Sequence, residues 1–350
     1  HWPRRRLTDM RVGLSLGIGR REPIARVPRL ASLIEDSGFD RVWFVDYQLP
    51  MKDTVVAMTL AATTTSRIEL GPGVANPQTR HLSVLANAMS AIHELSDGRV
   101  IAGIGSGHTS VYGVGLKPSK VAETEAAVLD LKRLLAGEEV DTNGKPYRLH
   151  TVSHQPPPPV ALAATHERML RVAGRSADAV VLMGAADVDL TRWQLERVQE
   201  GLDEAGRARE DIDIEIWFAL SVGDDDSVVK DIKAWAAAQS RVLNRWKGDL
   251  PSPLSAFAAE MDHADRAYEL SDHLAVNGAN ASLISDELAA RVAVAGTAET
   301  CAARIHELVD LGLDGVTITL LSGGREERIR RMSEELLPLL RTQAPSAAQG

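Results

Sequence analysis

The chain reads as a single α/β domain closed as a (β/α)8 TIM barrel. Three observations predict this. Eight β-rich runs alternate with helix-length amphipathic segments, the alternation spans more than 300 residues, and no compositional break interrupts it. An open doubly wound sheet is the second arrangement that such alternation allows. The first strand is expected at 11–18, punctuated by Gly13, Gly17 and Gly19, and a helix at 24–37 follows, with Val27, Leu30, Ala31 and Ile34 at helical spacing. Gly38 ends that helix. Strands at 40–45, 68–74 and 100–104 are separated by helices at 54–65 and 83–95. A helix at 119–135 leads through the stiff run Pro156, Pro157, Pro158 and Pro159 to a fifth strand at 160–164. Then come a helix at 166–174, a strand at 179–183, a helix at 190–205, a strand at 212–222 and a helix at 228–240. Residues 245–288 do not fit the alternation and exceed an ordinary connection, so they are expected as an insertion between strands seven and eight, placed to cover the barrel mouth. A helix at 298–311, a strand at 315–321 and a helix at 325–340 close the pattern. Residues 1–9 read as an N-terminal extension, with Met10 opening the fold, the barrel domain as 10–341, and 342–350 as a C-terminal tail.

Composition narrows the function classes. A chain of 350 residues buries roughly 75% of its extended surface and needs no disulfide or metal staple. The single Cys301 has no partner for an intramolecular disulfide, which points to a reducing cytoplasm. Lys plus Arg number 39 against 48 Asp plus Glu, and the net charge of −9 counts against a general nucleic-acid binder or a polybasic membrane surface. No apolar run approaches the roughly 18 residues that would span a bilayer. Arg4, Arg5 and Arg6 are followed by Asp9, Arg11, Arg20, Arg21 and Glu22, which leave no apolar region for a signal peptide.

A barrel of this kind binds ligands where its strands point their C-terminal ends, so the residues just after each strand carry the functional reading. After strand two stand Asp46 and Tyr47; after strand three, Gly73, Val74, Ala75 and Asn76; after strand four, Gly105, Ser106, Gly107 and His108; after strand five, Ala164, Thr165 and His166; after strand six, Gly184. The glycines following strand four are a poor dinucleotide fingerprint, because the third is misplaced and no clear helix follows. They supply a backbone that approaches a flat ligand without side-chain bulk, or they are plain turn glycines. Thr165 is placed as the N-cap of the next helix, whose free N–H groups suit a phosphate, with His166 as a helix-start residue beside it. His108 has the best case for acid or base chemistry, since imidazole titrates near neutrality and a glycine-flanked strand end puts it at the mouth; a surface histidine is the alternative. Asp46 follows an apolar run and should have a hydrogen-bonding duty, or cap its loop. No metal cluster is legible: Gly17-Ile18-Gly19 offers no ligands, and Asp262-His263 and Asp272-His273 lie in the insertion without a second group. Cys301 falls within a helix and reads as a small buried thiol.

The segments Leu70-Gly71-Pro72-Gly73-Val74-Ala75-Asn76-Pro77-Gln78-Thr79-Arg80-His81 and Glu94-Leu95-Ser96-Asp97-Gly98-Arg99-Val100-Ile101-Ala102-Gly103-Ile104-Gly105-Ser106-Gly107 resemble the luciferase-like superfamily of flavin- and deazaflavin-dependent barrel enzymes. Val294-Ala295-Gly296-Thr297-Ala298-Glu299 and Leu313-Asp314-Gly315-Val316 resemble its closing signature. Within it the sequence is most similar to the branch typified by coenzyme F420-dependent methylenetetrahydromethanopterin reductase. The resemblance implies a non-prolyl cis peptide at Gly73–Val74, forming a bulge that backs the deazaflavin ring. It implies further that Asp46 lies near the ring's polar edge, and that the turn after strand four and the start of the helix after strand five receive ring and phosphate tail. Two departures stand out. Related enzymes often have Asp-His after strand two where this chain has Asp46-Tyr47, and some have an acid where it has His108, which shifts the proton donor to His108 with Tyr47 second. The reading is therefore an oxidoreductase transferring hydride between deazaflavin C5 and an electrophilic carbon of a small-molecule substrate. Its alternatives are an FMN-dependent monooxygenase and a non-catalytic deazaflavin-binding protein. Family precedent adds a homodimer built on outer barrel helices.

Overall fold

Eight parallel strands make the main path of a nine-stranded sheet in the computed structural model, which describes residues 10–225, 227–246, 249–321 and 323–342. They are β1 (Arg11–Leu16), β2 (Arg41–Phe44), β3 (Glu69–Pro72), β4 (Ala102–Ile104), β5 (Val160–Ala164), β6 (Ala179–Leu182), β7 (Asp213–Val222) and β8 (Gly315–Thr319). Their order is β3-β2-β1-β8-β7-β6-β5-β4, and the bridges Leu70↔Val100 and Ala75↔Ile104 join the chain around β3 to that around β4, so the sheet comes round on itself. This is the (β/α)8 barrel that the alternation predicts, and it displaces the open doubly wound sheet. Every expected strand is present within two residues at each end. β2, β6 and β8 are buried along their whole length, as parallel strands covered on both faces must be. The expected extension at 1–9, and the tail apart from Thr342, lie outside the described residues.

The chain forms two compact units, Leu14–Leu182 with Gln194–Ile214, and Met183–Trp193 with the residues up to Gly13 and from Glu215 onward. In the first, Trp43 is completely buried, and its ring occupies the space that side chains at Gly71 and Gly103 would need: a Cβ at either would lie 2.6–2.7 Å from ring carbons. Two glycines of the resemblance segments are thus explained by packing inside the barrel. Near the start of β3, the Glu35 carboxylate accepts from the backbone N–H groups of Ser66, Arg67 and Ile68. Burial pushes its pKa up, but those three donors and the Arg67 charge outweigh burial and hold it below the usual carboxylate range. Arg99 donates to the carbonyls of Ala62, Thr65, Ile68 and Ser96, fastening the same corner.

A hairpin absent from the sequence reading, Val140–Thr142 paired antiparallel with Lys145–Tyr147, turns through Asn143 and Gly144, both at positive φ. Asn-Gly suits this two-residue turn because both central residues must be left-handed. The chain beyond it runs along the helix Leu82–Leu95, where Ser90 Oγ donates to Thr151 O and His93 Nε2 contacts Pro156 O.

In the second unit, the short strand Val294–Gly296 pairs in parallel with the end of β7. The helix Ser227–Leu243 is followed through 245–288 by helical pieces, among them Pro253–Phe257, Ala258–Ala267 and Ala279–Leu283, and the helix Asp286–Val292 runs past 288. These pieces have their own apolar core, with Ile232, Trp235, Leu254, Met261, Ile284 and Leu288 all buried. Arg241 lies 4.5 Å from the Tyr268 ring centroid and pairs with Asp265, while Tyr268 Oη is 2.6 Å from His273 Nδ1. The closing helix is not uniform: Arg325–Arg331 and Leu337–Arg341 flank a π-helical turn, Met332–Leu336, just before Pro338, which has no N–H to continue an i→i−4 ladder.

Candidate functional site

Every candidate residue except Gly184 belongs to the unit Leu14–Leu182, at the C-terminal ends of β2 to β5. Gly184 follows β6 at φ +128° in the other unit. The chain beyond β3 keeps pairing on both sides: Gly73 N–H donates to Phe44 O, Ala75 N–H to Gly103 O, and Gly105 N–H to Ala75 O. Between these contacts the Gly73–Val74 peptide is cis, at the bond the family resemblance singles out. Val74 leans toward β4, its Cγ2 lying 3.0 Å from where a Gly105 Cβ would stand. Gly73, Val74, Ser106, Gly107 and His108 are partly exposed around buried Ala75 and Asn76. Gly73, Val74, Ser106 and Gly107 form a ledge of mostly backbone with one aliphatic side chain, and His108 follows at its end. Gly107 has φ +80°, and a Cβ there would meet Val111 Cγ1 at 2.6 Å, so this turn requires glycine.

Polar groups tie the loops beyond β2, β3 and β4 together. Asn76 Oδ1 accepts from the N–H groups of Gln78 and Thr79, which folds 76–80 into a compact turn, and Asn76 Nδ2 donates to Ser110 Oγ. Gln48 Nε2 reaches Ser110 O, Gln78 Nε2 reaches Ser119 Oγ, and Ser119 N–H donates to Ser106 O. The turn at 76–80 delivers Arg80, a residue not picked out as functional from the sequence. Its Nε and Nη2 donate to Asp46 Oδ2 and Oδ1 at 2.9 and 3.2 Å, and Nη2 also donates to Asp53 Oδ2 at 2.8 Å. Asp53 in turn caps the helix Thr54–Ala62 by accepting from Val55 and Val56 N–H. Burial works against the Arg80 charge, but the two carboxylates outweigh it and raise its pKa. For Asp53, burial is likewise outweighed, here by Arg80 and the capped N–H groups, and its carboxyl is held below the usual range. The hydrogen-bonding duty expected of buried Asp46 is thus filled by a two-pronged guanidinium contact.

His108 sits ahead of the short helix Thr109–Tyr112, with Nδ1 3.3 Å from Thr109 Oγ1 and its ring edge-on to Tyr112 at 5.3 Å. Tyr47 is buried, and its Oη lies 3.1 Å from the position of a Cβ on Gly113. The loops that hold His108 and Tyr47 therefore touch. After β5, Ala164 and Thr165 are buried and Gln194 Nε2 donates to Thr165 O. The helix Glu167–Ser176 has His166, not the expected Thr165, at its N-cap, because the chain stays extended through 166. His166 offers no side-chain cap, and its carbonyl accepts from Met169 and Leu170 N–H.

The model of the family described as luciferase-like monooxygenase matches residues 7–315. The chain belongs to that family. Its relatives include a 5,10-methylenetetrahydromethanopterin reductase of Methanolobus tindarius, 26% identical over 326 residues, covering 90% of this chain and 97% of the relative. An F420-dependent glucose-6-phosphate dehydrogenase of Kineococcus radiotolerans is 27% identical over 329 residues, covering 88% and 90%. The solved coenzyme F420-dependent tetrahydromethanopterin reductase of Methanopyrus kandleri has the same fold, with a TM-score of 0.77 at 23% identity over 94% of this chain and 99% of that one.

Elsewhere in this luciferase-like chain, the other candidate chemistry has structural employment. Cys301 is fully buried, burial pushes its thiol up to about 12, and Sγ lies 3.5 Å from Gly296 O. Burial, with Arg241 nearby, pushes His273 down to about 4, which leaves a neutral ring held by Tyr268. Among the described residues no group of three or more His, Cys, Asp and Glu is arranged for a metal, and no helix is long and apolar enough to cross a membrane.

Proposed function

We propose that the protein is a coenzyme F420-dependent oxidoreductase acting on a small molecule with an electrophilic carbon. The observation that carries this is similarity over about nine-tenths of the chain to a relative named for F420, within a family whose model matches residues 7–315. The ledge of Gly73, Val74, Ser106 and Gly107 fits the coenzyme's flat ring: it is partly exposed, lacks formal charge and is nearly free of side-chain bulk. Asp46, fixed by Arg80, and Asn76, Ala75 and Gly105 would hold the ring's surroundings. Ala164, Thr165 and His166 would take the ring's far side and the phosphate-bearing tail, the first turn of Glu167–Ser176 offering N–H groups to an anion. When bound, the coenzyme supplies or accepts hydride at ring carbon C5. This chain's own residues orient the partners, exclude water and move a proton. As the substrate carbon gains hydride, its π electron pair shifts to the attached heteroatom, and His108 Nε2 gives that atom a proton; in the reverse direction His108 takes it. Tyr47 is the second candidate for this role. Positioned proton transfer of this type contributes about 10²–10⁴-fold to a rate.

The family's description favours one other reading, a monooxygenase using FMN on the same ledge. Reconstitution tests the choice. Purified protein with F420 and a panel of carbonyl compounds and alcohols should bleach or restore deazaflavin absorbance catalytically. His108→Ala should lower turnover by about 100-fold or more while coenzyme uptake persists. Turnover unchanged in His108→Ala removes the assigned role, and oxygen-dependent turnover with reduced FMN alone favours the monooxygenase.

A further inference from the structure

Building on that F420 reading, we infer that the substrate side of the site takes an uncharged molecule with an apolar surface, and not a phosphate ester or a carboxylate. Leu49, Tyr112, Val114 and Leu116 are large apolar side chains exposed by 41% to 61%, and all stand on the loops that carry Tyr47 and His108. They form one rim. Leu49 Cδ1 lies 3.4 Å from the position of a Cβ on Gly113, between Tyr112 and Val114. Tight turns bring Leu116 N–H to Val111 O and Gly115 N–H to Tyr112 O. The rim is continuous with the proposed proton donor, because the His108 ring packs edge-on against Tyr112.

Charge points the same way. Between Asp46 and Lys52, and between His108 and Lys117, no residue is Asp, Glu, Lys or Arg, and exposed Lys52 and Lys117 stand only at the ends of these stretches. Arg80, the cation held on the adjoining turn, is engaged by two carboxylates, so the Asp46, Arg80 and Asp53 cluster is net negative. A phosphate or carboxylate needs a free guanidinium, ammonium or run of donors to replace its water. The rim offers aliphatic and aromatic surface instead, whose contribution grows with the apolar area covered.

Ligand-observed NMR and equilibrium dialysis test this with 2-butanone, 2-hexanone, 2-octanone, hexanoate and glucose 6-phosphate, on the protein both with and without F420. Affinity should rise about twofold to fourfold per added methylene along the ketones, and 2-hexanone should outbind hexanoate and glucose 6-phosphate. Leu49→Ser and Leu116→Ser, both at exposed positions, should each weaken 2-octanone about fivefold and leave 2-butanone nearly unchanged. Tighter binding of hexanoate or glucose 6-phosphate, an absent chain-length dependence, or indifference to both substitutions overturns the inference. So does loss of self-association in Leu116→Ser with ketone binding intact, which would give the rim to a second copy of the chain. Failure of F420 uptake with the ketone trend preserved would count against the coenzyme reading alone.

Discussion

The loops beyond β2 and β3 differ from the loop beyond β4 in the way they are held. The first pair is cross-linked by charge: Arg80 spans Asp46 and Asp53, and Asn76 ties its own turn together. The loop at 108–116 has no permanent charge, rests on short turns and exposes three large apolar side chains. In the proposed reading the contrast separates a fixed floor for the coenzyme from a simpler rim, joined by Leu49 of the β2 loop, that meets the substrate. Loops at this end of a barrel vary freely without cost to the scaffold, so specificity belongs on the rim and stability on the floor.

Substitutions sharpen or break that division. The largest expected effect is on catalysis: His108→Ala lowers kcat by about 100-fold or more and leaves the F420 dissociation constant within about twofold, read by steady-state rates beside a coenzyme titration. Next is Arg80→Ala, which leaves Asp46 buried without its cation. Asp46 is 5% and Arg80 19% exposed in their side chains, so the loss should be about 3 kcal/mol in urea unfolding, with Arg80→Lys recovering part of it. An unchanged urea midpoint in Arg80→Ala would break the comparison. Glu35→Gln, at the other end of the same strand region, should cost about 1–2 kcal/mol at neutral pH by weakening three hydrogen bonds to a charged acceptor. Because the folded Glu35 pKa is depressed, its contribution is complete above the unfolded value near 4.5 and disappears as pH falls through the lower folded value. The difference between Glu35→Gln and the parent should therefore narrow in acid. Smallest is Asp53→Asn. Asparagine still caps the helix, and the lost ion pair is 47% exposed on the Asp53 side, so no more than about 1 kcal/mol is at stake. That difference also begins to narrow at the ordinary Asp value near 3.8 and is lost as pH falls through the lower folded value.

The barrel was legible in the sequence because each strand is a short apolar run and each helix carries 3.6-residue periodicity, signals that packing here reinforces. Two kinds of feature were not. The hairpin at 140–147 had its signal in Asn143-Gly144, but its strands are three residues long and largely exposed, too short for alternation to show. The helices in 245–288 are broken by 3-10 turns, so no single apolar period persists there. In the candidate site, His108, Tyr47 and the Gly73–Val74 turn could be placed from strand ends and family resemblance. The partnership of Asp46 with Arg80 could not, because the residues are 34 positions apart and meet only through the Asn76 turn. One local expectation failed for a plain reason: Thr165 precedes an extended His166, and the helix opens one residue later.

The proposed seat of the deazaflavin is the ledge after β3 and β4. The measurement that tests it most directly is a competition titration of the purified protein with F420 and FMN, followed by the absorbance and fluorescence of each chromophore. Saturable F420 uptake that excess FMN does not displace is the expected result. Preferential FMN uptake, or binding of neither chromophore by folded protein, would contradict it.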